Sequence, residues 1–280
     1  MRRLVAMSIQ PERRWAPSAF LYVSAAIHVG AAVAALARPS AWPLAVGAVV
    51  LNHLAITAAG LWPRSAWLGP NLTRLPVPSA RRGEVAITID DGPDPEVTPR
   101  VLDLLARHGA HATFFCVGDR IERHPELARD IVRRGHDIEN HTQRHRHTFS
   151  FLGPRGMVAE VGGAQETITR VVGVRPRFFR APAGLRNPFL EPVLCRLGLR
   201  LTSWTRRGFD TVDGNADDVY RRLSRSLRGG DILLLHDGHA AAAQGGAPVI
   251  LEVLPRLLDA LRNRQMRAVT LRTALAGRRA

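Results

Sequence analysis

The sequence predicts an α/β fold, a distorted (β/α)7 barrel of parallel strands related to the eightfold TIM barrel, preceded by two transmembrane helices. Three observations lead to this prediction. After residue 84, short apolar or β-branched runs alternate with longer stretches of helical period; polar motifs directly follow several of those runs; and two long uncharged segments precede them. We therefore expect one globular domain with an N-terminal anchor in this chain of 280 residues.

The N-terminal part of the chain has the pattern of a membrane hairpin. After a basic tail at 1–17, segments 18–37 and 42–62 contain no charged residue, and each is close to the roughly 20 residues that cross a bilayer. No small-residue cleavage pattern follows the first segment, which disfavours a cleaved signal peptide. Arginines flank the pair, and only Arg38 lies between them, so the positive-inside rule places the globular domain on the cytoplasmic face of a bacterial-type inner membrane. If only one segment spans the membrane, the orientation is the opposite.

Segment 63–83 is rich in proline, glycine and arginine and is predicted to be an extended linker along the membrane surface. The catalytic domain is predicted at 84–280. Its strands are predicted at 85–89, 112–117, 137–139, 178–179, 199–204, 232–235 and 268–271. Its helices are predicted at 95–108, 125–134, 155–172, 188–197, 216–227 and 247–265.

The composition limits the classes of partner. The formal net charge is +15, from 39 basic and 24 acidic residues, and every basic residue is arginine. These arginines are scattered, with no aromatic interleaving, so we predict no nucleic-acid binding and favour contact with anionic lipid. Cys116 and Cys195 are the only cysteines, which excludes a disulfide framework.

Two motifs carry groups that are typical of metal chemistry. Asp90 and Asp91 directly follow the first predicted strand, although this pattern alone is equally typical of a polar turn. His141 and His145 follow the third strand, and imidazoles four residues apart can bind one metal ion from one face of a helical turn. A solvated basic stretch is the alternative, and it is the interpretation we favour for His147. Carboxylate and neutral imidazole together suit zinc or a similar divalent ion.

Three further motifs follow later strands. Arg180-Ala181-Pro182-Ala183-Gly184 ends the fourth, Trp204 and Asp210 follow the fifth, and Leu234-Leu235-His236-Asp237-Gly238 closes the sixth. In a parallel barrel the carboxyl ends of all strands lie at one rim, so these side chains are expected to converge there.

In these five ordered motifs the sequence resembles the polysaccharide deacetylases, also called NodB-homology or family-four carbohydrate esterases. The resemblance extends from about residue 84 to the end of the chain. It rests on Thr-x-Asp-Asp-Gly-Pro at 88–93, His-Thr-x-x-His at 141–145, Arg-x-Pro-x-Gly at 180–184, the Trp and Asp at 204 and 210, and Leu-x-His at 234–236. It implies a distorted seven-stranded barrel and a hydrolase of carbon–nitrogen bonds that deacetylates amino sugars.

The resemblance also implies roles for individual residues. Asp90 is expected to be the general base and His236 the general acid, with Arg180 and Asp210 orienting them. One divalent ion, with Zn²⁺ expected, is held by Asp91, His141 and His145. Contacts to the substrate are expected from Pro182, Ala183, Trp204 and Leu234.

Two departures from the family pattern affect the pocket. Ala183 stands where an aromatic residue is frequent, and Thr211 stands where a tryptophan is common. We therefore expect a more open or differently walled pocket, which leaves the identity of the substrate open.

The predicted function is removal of an N-acyl group, expected to be acetyl, from an amino sugar in an envelope or lipid-linked glycan. One alternative is an O-acetyl esterase or deformylase acting on a lipid-linked sugar. Another is a non-catalytic, membrane-anchored glycan-binding protein, against which the presence of Asp90 and His236 argues, since neither is needed to bind metal. The predicted partners are thus a carbohydrate and a membrane, and the oligomeric state stays open.

Overall fold

The computed structural model describes residues 14–276, so most of the predicted basic tail, 1–13, and residues 277–280 lie outside the described residues. The described part contains eight strands: β1 Glu84–Asp90, β2 Ala112–Cys116, β3 Asp137–Asn140, β4 Phe178–Phe179, β5 Arg200–Leu201, β6 Arg206–Arg207, β7 Ile232–His236 and β8 Arg267–Ala268. It also contains eleven α-helices: α1 Ala19–Ala37, α2 Trp42–Leu61, α3 Val77–Arg81, α4 Thr98–Arg107, α5 Gly118–Arg123, α6 Pro125–Arg133, α7 Pro154–Val172, α8 Leu190–Leu197, α9 Ala216–Ser224, α10 Ile250–Asn263 and α11 Leu271–Ala276.

The strands form one parallel sheet in the order β5-β4-β3-β2-β1-β7-β6, with β8 pairing with β1 beside this path. Every pairing is parallel. The path is open between β5 and β6, so the sheet is an α/β half-barrel rather than a closed one. The predicted parallel α/β architecture is confirmed, and all seven predicted strands are present at least in part.

Three local predictions are wrong. β6 was not predicted, because it consists of two arginines at the sheet edge, where pairing with β7 alone requires no apolar side chain. The last predicted strand, 268–271, is strand only at Ala268, and Leu271 begins helix α11. The predicted strand 199–204 is reduced to Arg200–Leu201.

The predicted linker, 63–83, packs against the open side of the barrel. The Leu72 N–H donates to the Leu201 carbonyl (3.0 Å), and the Ser203 N–H donates to the Leu72 carbonyl (2.9 Å). Three residues further on, the Leu75 N–H donates to the carbonyl of Gly230, just before β7 (2.9 Å). The segment therefore contacts both edges of the gap that the strands leave.

The apolar core consists of three clusters, and the sheet separates the inner cluster from the others. On the outer face, side chains such as Ile87 and Ile89 of β1 pack with Val101, Leu105 and Leu257 of the surrounding helices. On the inner face, Ala86, Phe115 and Leu234 pack with Leu75 of the linker. Since successive strand residues point to opposite faces, β1, β2 and β7 each contribute side chains to both faces.

The two N-terminal helices pack against each other as a hairpin. A short 3-10 turn, Pro39–Ala41, joins α1 to α2. The Asn52 amide donates to the Ser24 hydroxyl (2.7 Å) at a buried contact, and the His28 and His53 rings lie 5.1 Å apart. By length and composition, both helices are apolar enough to cross a membrane, as the sequence predicts for 18–37 and 42–62.

The end of α2 rests on the loop that follows β4. The Arg186 N–H donates to the Gly60 carbonyl (3.2 Å), and a Cβ at position 60 would lie only 2.2 Å from the Arg186 carbonyl oxygen. Glycine is therefore required at this contact. Next along the chain, the Pro63 carbonyl accepts a hydrogen bond from the Ser203 hydroxyl (2.6 Å).

We predict that a chain starting at residue 84 is less stable than one starting at residue 63. Both lack the hairpin, but the shorter one also loses the buried Leu75 and the hydrogen bonds of Leu72. Burial of one leucine contributes about 2 kcal/mol, so the unfolding midpoint should fall by roughly 5 °C or more. Thermal melts followed by circular dichroism measure the difference, and equal midpoints would show that the linker does not support the barrel.

Candidate active site

The loops that leave the carboxyl ends of the strands surround one cavity of about 290 Å³. Its lining residues are Asp90, Asp91, His141, His145, His147, Ala181, Ala183, Gly184, Trp204, Arg207, Thr211, Leu234, His236 and His239. Residues from the ends of six different strands or the loops that follow them thus converge on one rim, as the positions of the motifs along the chain suggest.

Asp90 faces the inside of the barrel because of the alternation along β1. Ile87 and Ile89 belong to the outer core, whereas Ala86 packs inside with Leu234. Thr88 and Asp90 share the face of Ala86. The Asp90 carboxylate therefore lies at the upper end of the interior, where the cavity begins.

Asp91, His141 and His145 form a compact cluster. The Asp91 Oδ1 atom lies 3.2 Å from Nε2 of His141 and 3.1 Å from Nε2 of His145. Ligand atoms of the three residues all lie within 4.8 Å of one another. Asp91 Oδ1 is buried and accepts no well-formed hydrogen bond, so its lone pairs are available to a cation. One carboxylate oxygen and two imidazole nitrogens in this arrangement fit a divalent metal ion.

The surroundings of this cluster favour a positive charge. Burial raises the pKa of Asp91, but the hydrogen bonds from the imidazoles of His141, His145 and His239 lower it by more. The pKa of Asp91 therefore lies well below its ordinary value. Burial lowers the pKa of His141, whereas the charges of Asp90 and Asp91 raise it above its ordinary value. The charges of Asp90 and Asp91 therefore favour a cation at the imidazole nitrogens of this cluster.

The backbone fixes the orientation of His141. Its Nδ1 lies 2.8 Å from the carbonyl oxygen of Arg180. A carbonyl can only accept, so Nδ1 carries the hydrogen, and in the neutral ring Nε2 presents its lone pair toward Asp91. A hydrogen bond from the ring nitrogen that does not face the metal is the usual way in which proteins orient a metal-ligating histidine.

Arg180 holds Asp90 from below. Its guanidinium donates to Asp90 Oδ1 (2.6 Å) and to the Thr88 hydroxyl (2.8 Å), and also to the carbonyls of Thr202 (3.2 Å) and Ser203 (2.9 Å). Arg180 is only 1% exposed. Burial lowers the pKa of this guanidinium, and the adjacent Asp90 charge opposes that shift. The ion pair fixes one oxygen of Asp90 and leaves the other toward the cavity.

His236 and Asp210 form the second pair. Asp210 Oδ1 accepts from His236 Nδ1 (2.9 Å), and Asp210 Oδ2 accepts from the His236 backbone N–H (2.7 Å). Burial lowers the pKa of His236, but the hydrogen bond to Asp210 and its charge raise it above its ordinary value. The imidazole is therefore stabilised in its protonated form, with its Nε2 side toward the cavity.

The structure also shows where the residues predicted to contact substrate lie. Ala183, Trp204 and Leu234 line the cavity, whereas Pro182 is buried and is not among the lining residues. Ala183 has a positive φ of 53°. Next to it, a Cβ at Gly184 would lie 2.8 Å from the Trp204 ring, so glycine allows this loop to approach the tryptophan.

Sequence reasoning missed His239. Its Nδ1 lies 3.0 Å from Asp91 Oδ2, the oxygen opposite the two predicted ligands. The sequence did contain a signal for it, because His239 lies three residues after His236 in the loop that directly follows β7. His239 thus adds a third imidazole around the same carboxylate.

Asp237 explains a constraint in the first motif. Its carboxylate is buried and accepts a hydrogen bond from the Thr98 hydroxyl, and burial raises the pKa of Asp237 to about 7. A Cβ at Gly92 would lie 2.5 Å from this carboxylate. The loops after β1 and β7 pack against each other at this point and leave no space for a side chain at position 92. Glycine is therefore the residue that fits after Asp91.

Several residues around the cavity adopt an unusual backbone conformation. Positive φ angles occur at Asp91 (77°), Thr142 (65°), His145 (52°), Ala183 (53°) and Phe209 (62°). For residues other than glycine this conformation is uncommon and costs energy. These residues lie together at one rim. The rest of the fold therefore holds their side chains in place although the backbone conformation there is unfavourable.

Comparison with known proteins identifies the family. A family model described as polysaccharide deacetylase matches residues 78–202. A peptidoglycan-N-acetylglucosamine deacetylase of Bacillus cereus is 33% identical over 175 residues, which are 62% of this chain and 81% of the relative. A chitooligosaccharide deacetylase of Azorhizobium caulinodans is 33% identical over 190 residues, which are 65% of this chain and 90% of the relative. A family 4 carbohydrate esterase from Streptomyces lividans, solved in complex with acetate, is 30% identical with a TM-score of 0.60 and matches 66% of this chain and 91% of that chain.

The fold and the site together define a glycan-modifying hydrolase, and the chain belongs to the polysaccharide deacetylase family. It is a hydrolase of the carbon–nitrogen bond in N-acylated amino sugars. The predicted family and enzyme class are therefore confirmed.

We predict that Asp210→Asn lowers the pKa of His236, because the substitution removes the charge that raises it. In the wild-type protein the raised pKa keeps the imidazole protonated to higher pH, and the variant should lose that proton at lower pH. A histidine titration by NMR measures the shift, with the signal assigned through His236→Gln. An unchanged titration in Asp210→Asn would show that Asp210 does not control this proton.

Proposed function

We propose that the protein is a metal-dependent deacetylase that removes an N-acetyl group from an amino sugar of an envelope or lipid-linked glycan. One observation carries the proposal: a cluster of metal-type ligands, a carboxylate paired with a buried arginine, and an imidazole paired with an aspartate face the same cavity. The cluster is Asp91, His141 and His145, the acid is Asp90, and the imidazole is His236. The names of the two relatives favour an N-acetylated hexosamine as the substrate.

Zinc is the metal we propose, since one carboxylate and two imidazoles form a donor set typical of catalytic zinc with positions left open. A divalent ion bound there would acidify a water molecule and polarise the acyl carbonyl. Asp90 is placed to receive a proton in this reaction, because its Oδ2 lies 4.0 Å from Nε2 of His141, directly beside the cluster. Arg180 donates to the other carboxylate oxygen, Oδ1, and so holds Asp90 in position for this transfer.

The second proton transfer belongs to His236. An amide nitrogen is a poor leaving group, so the departing amine must be protonated as the carbon–nitrogen bond breaks. His236 lines the cavity and is kept protonated by Asp210, which makes it the proton donor. We assign the stabilisation of the developing oxyanion to the backbone N–H of Ala183, in the positive-φ turn at the cavity wall.

Two variants separate metal binding from proton transfer. His141→Ala removes one ligand and should release the metal, whereas Asp90→Asn should retain it. Asp90→Asn should reduce acetate release by about 10²- to 10⁴-fold, the usual contribution of a general base. Metal content is measured on the purified full-length chain by mass spectrometry, and activity by acetate release from N-acetylated hexosamine oligomers.

His147→Ala is the matched control, because His147 lines the cavity but lies outside the cluster. It should retain the metal. A His141→Ala protein that still holds one equivalent of metal would contradict the proposed ligand set, and full activity in Asp90→Asn would contradict the proposed base.

We further propose that α1 and α2 anchor the enzyme as a membrane hairpin with the catalytic domain, 84–280, on the cytoplasmic face. The two helices pack through Ser24 and Asn52, which allows both polar groups to be paired within an apolar segment. Arg38 is the only charged residue between the helices, whereas Arg64, Arg74, Arg81 and Arg82 follow α2. This asymmetry supports the orientation.

Reporter fusions at the C-terminus test the orientation. Green fluorescent protein should fluoresce there, and alkaline phosphatase should be inactive, since it requires the periplasm for its disulfides. The same reporters fused after Arg38 should give the opposite result. Active alkaline phosphatase at the C-terminus would place the catalytic domain on the outer face.

A further inference from the structure

Arg207, on the edge strand β6, lines the cavity without a charged partner. Among residues 14–276, its guanidinium forms no ion pair and no hydrogen bond with another side chain or carbonyl. Its Nε atom is buried and has no hydrogen-bond partner. The two terminal nitrogens of the guanidinium likewise have no hydrogen-bond partner among the described residues, but they are not buried, so they can donate to an acceptor that enters the cavity.

The neighbouring arginine shows the contrast. Arg206, one position earlier in the same strand, pairs with Asp231 (2.8 Å) and donates to the carbonyls of Arg225 and Ser226. Arg180 is likewise fully engaged with Asp90 and three oxygens. Arg207 therefore differs from the other arginines near the barrel interior in having its hydrogen-bonding capacity free.

Two aromatic rings hold Arg207 in position. Its guanidinium carbon lies 5.6 Å from the centre of the Trp204 ring and 4.9 Å from that of Phe209. Phe209 reaches this position through a positive φ of 62°, and the preceding Gly208 packs so closely that a Cβ there would lie 2.8 Å from Val219. Cation–π contacts orient the guanidinium plane and leave its N–H edge for a ligand.

The carboxylates of the cavity do not compensate this charge. Asp90 is paired with Arg180, and Asp91 is surrounded by His141, His145 and His239. The free guanidinium thus forms a positive position in the cavity wall that is not paired with either carboxylate. An anionic group on the substrate is its chemical complement.

The location of this wall indicates which anion. Trp204 and Pro63 both lie within 3 Å of the place where a Cβ of Gly184 would be, so Trp204 adjoins the chain directly after α2. The Arg64 side chain lies against the same part of the barrel, donating to the Thr205 carbonyl (3.4 Å). If α2 ends at the membrane surface, the Arg207 side of the cavity is the side nearest the bilayer.

We propose that Arg207 binds a phosphate attached to the amino sugar, and that the substrate is an N-acetylated hexosamine linked through phosphate to a membrane lipid. In such a substrate the phosphate lies between the sugar and the bilayer, and Arg207 contacts Trp204 on the side of the cavity that adjoins the chain directly after α2. This inference rests on the proposed function and narrows its substrate class.

Acetate release from three soluble substrates tests the proposal: methyl N-acetylglucosaminide, N-acetylglucosamine 1-phosphate and N-acetylmuramic acid. The wild-type full-length chain in detergent should prefer the phosphate over the neutral sugar by about 10- to 100-fold in kcat/KM, the range expected for one charge-assisted contact. Arg207→Gln should lose that preference, because its KM for the phosphate should rise by more than its KM for the neutral sugar.

Arg200→Gln is the control, because Arg200 is exposed on β5 and outside the cavity. It should keep the wild-type preference. A preference for N-acetylmuramic acid over N-acetylglucosamine 1-phosphate would show that Arg207 recognises a carboxylate, and it would overturn the proposal. Equal turnover of the charged and neutral sugars would also overturn it.

Direct binding separates this proposal from the proposed function. Calorimetry with N-acetylglucosamine 1-phosphate requires no turnover, and the wild-type chain should bind it more tightly than Arg207→Gln does. If no substrate releases acetate while this difference in binding persists, the deacetylase proposal fails and the phosphate site stands. If acetate is released and the difference is absent, the phosphate site fails alone.

Discussion

The parallel pairing of β1 with β7 is the constraint on which the site depends. Its register places Asp90 beside His236, although 146 positions separate them in the chain, and the pairing of β2 with β3 brings the histidine-bearing loop to the same rim. The register is set by apolar side chains: Ile87, Ile89, Leu233 and Leu235 all belong to the outer core. A slip of one residue would turn Asp90 outward. The packing that stabilises the sheet therefore also positions the chemistry.

The interior below the cavity contains a buried ion pair beside the apolar side chains of the inner core. Arg180 and Asp90 are almost completely buried, and such a pair contributes little net stability because both ions lose their hydration. The pair is retained together with hydrogen bonds to Thr88, Thr202 and Ser203, which leave the guanidinium with few unmet donors. Positive φ angles at Asp91 and Ala183 add a further cost. The apolar packing on the two faces of the sheet offsets these terms, and the inner face therefore contributes to stability as well as to the site.

The sequence predicted the parts of the fold that have a strong local pattern. β1, β2 and β7 are continuous apolar runs, and the six longer domain helices begin and end within three residues of their predicted bounds. It also predicted the residues that converge at the rim, because each motif directly follows a strand. The failures have one physical origin, which is dependence on distant contacts. The pairing of Leu72 with Leu201, the two-residue strand β6 and the contact of His239 with Asp91 all depend on groups far away in the chain. Arg207 likewise gave no signal, since only the structure shows that it lacks a partner.

X-ray absorption spectroscopy of the zinc-loaded protein tests whether Asp91, His141 and His145 bind the ion, because it reports the ligands of the ion without requiring substrate. We expect nitrogen and oxygen neighbours of the zinc ion at about 2.0–2.2 Å. The imidazole contribution to the spectrum should decrease in His141→Ala and in His145→Ala. A sulfur neighbour at about 2.3 Å, which only Cys116, Cys195 or a methionine can supply, would contradict this expectation. So would a spectrum that neither substitution changes, because the ion would then lie outside the cluster formed by Asp91 and the two histidines.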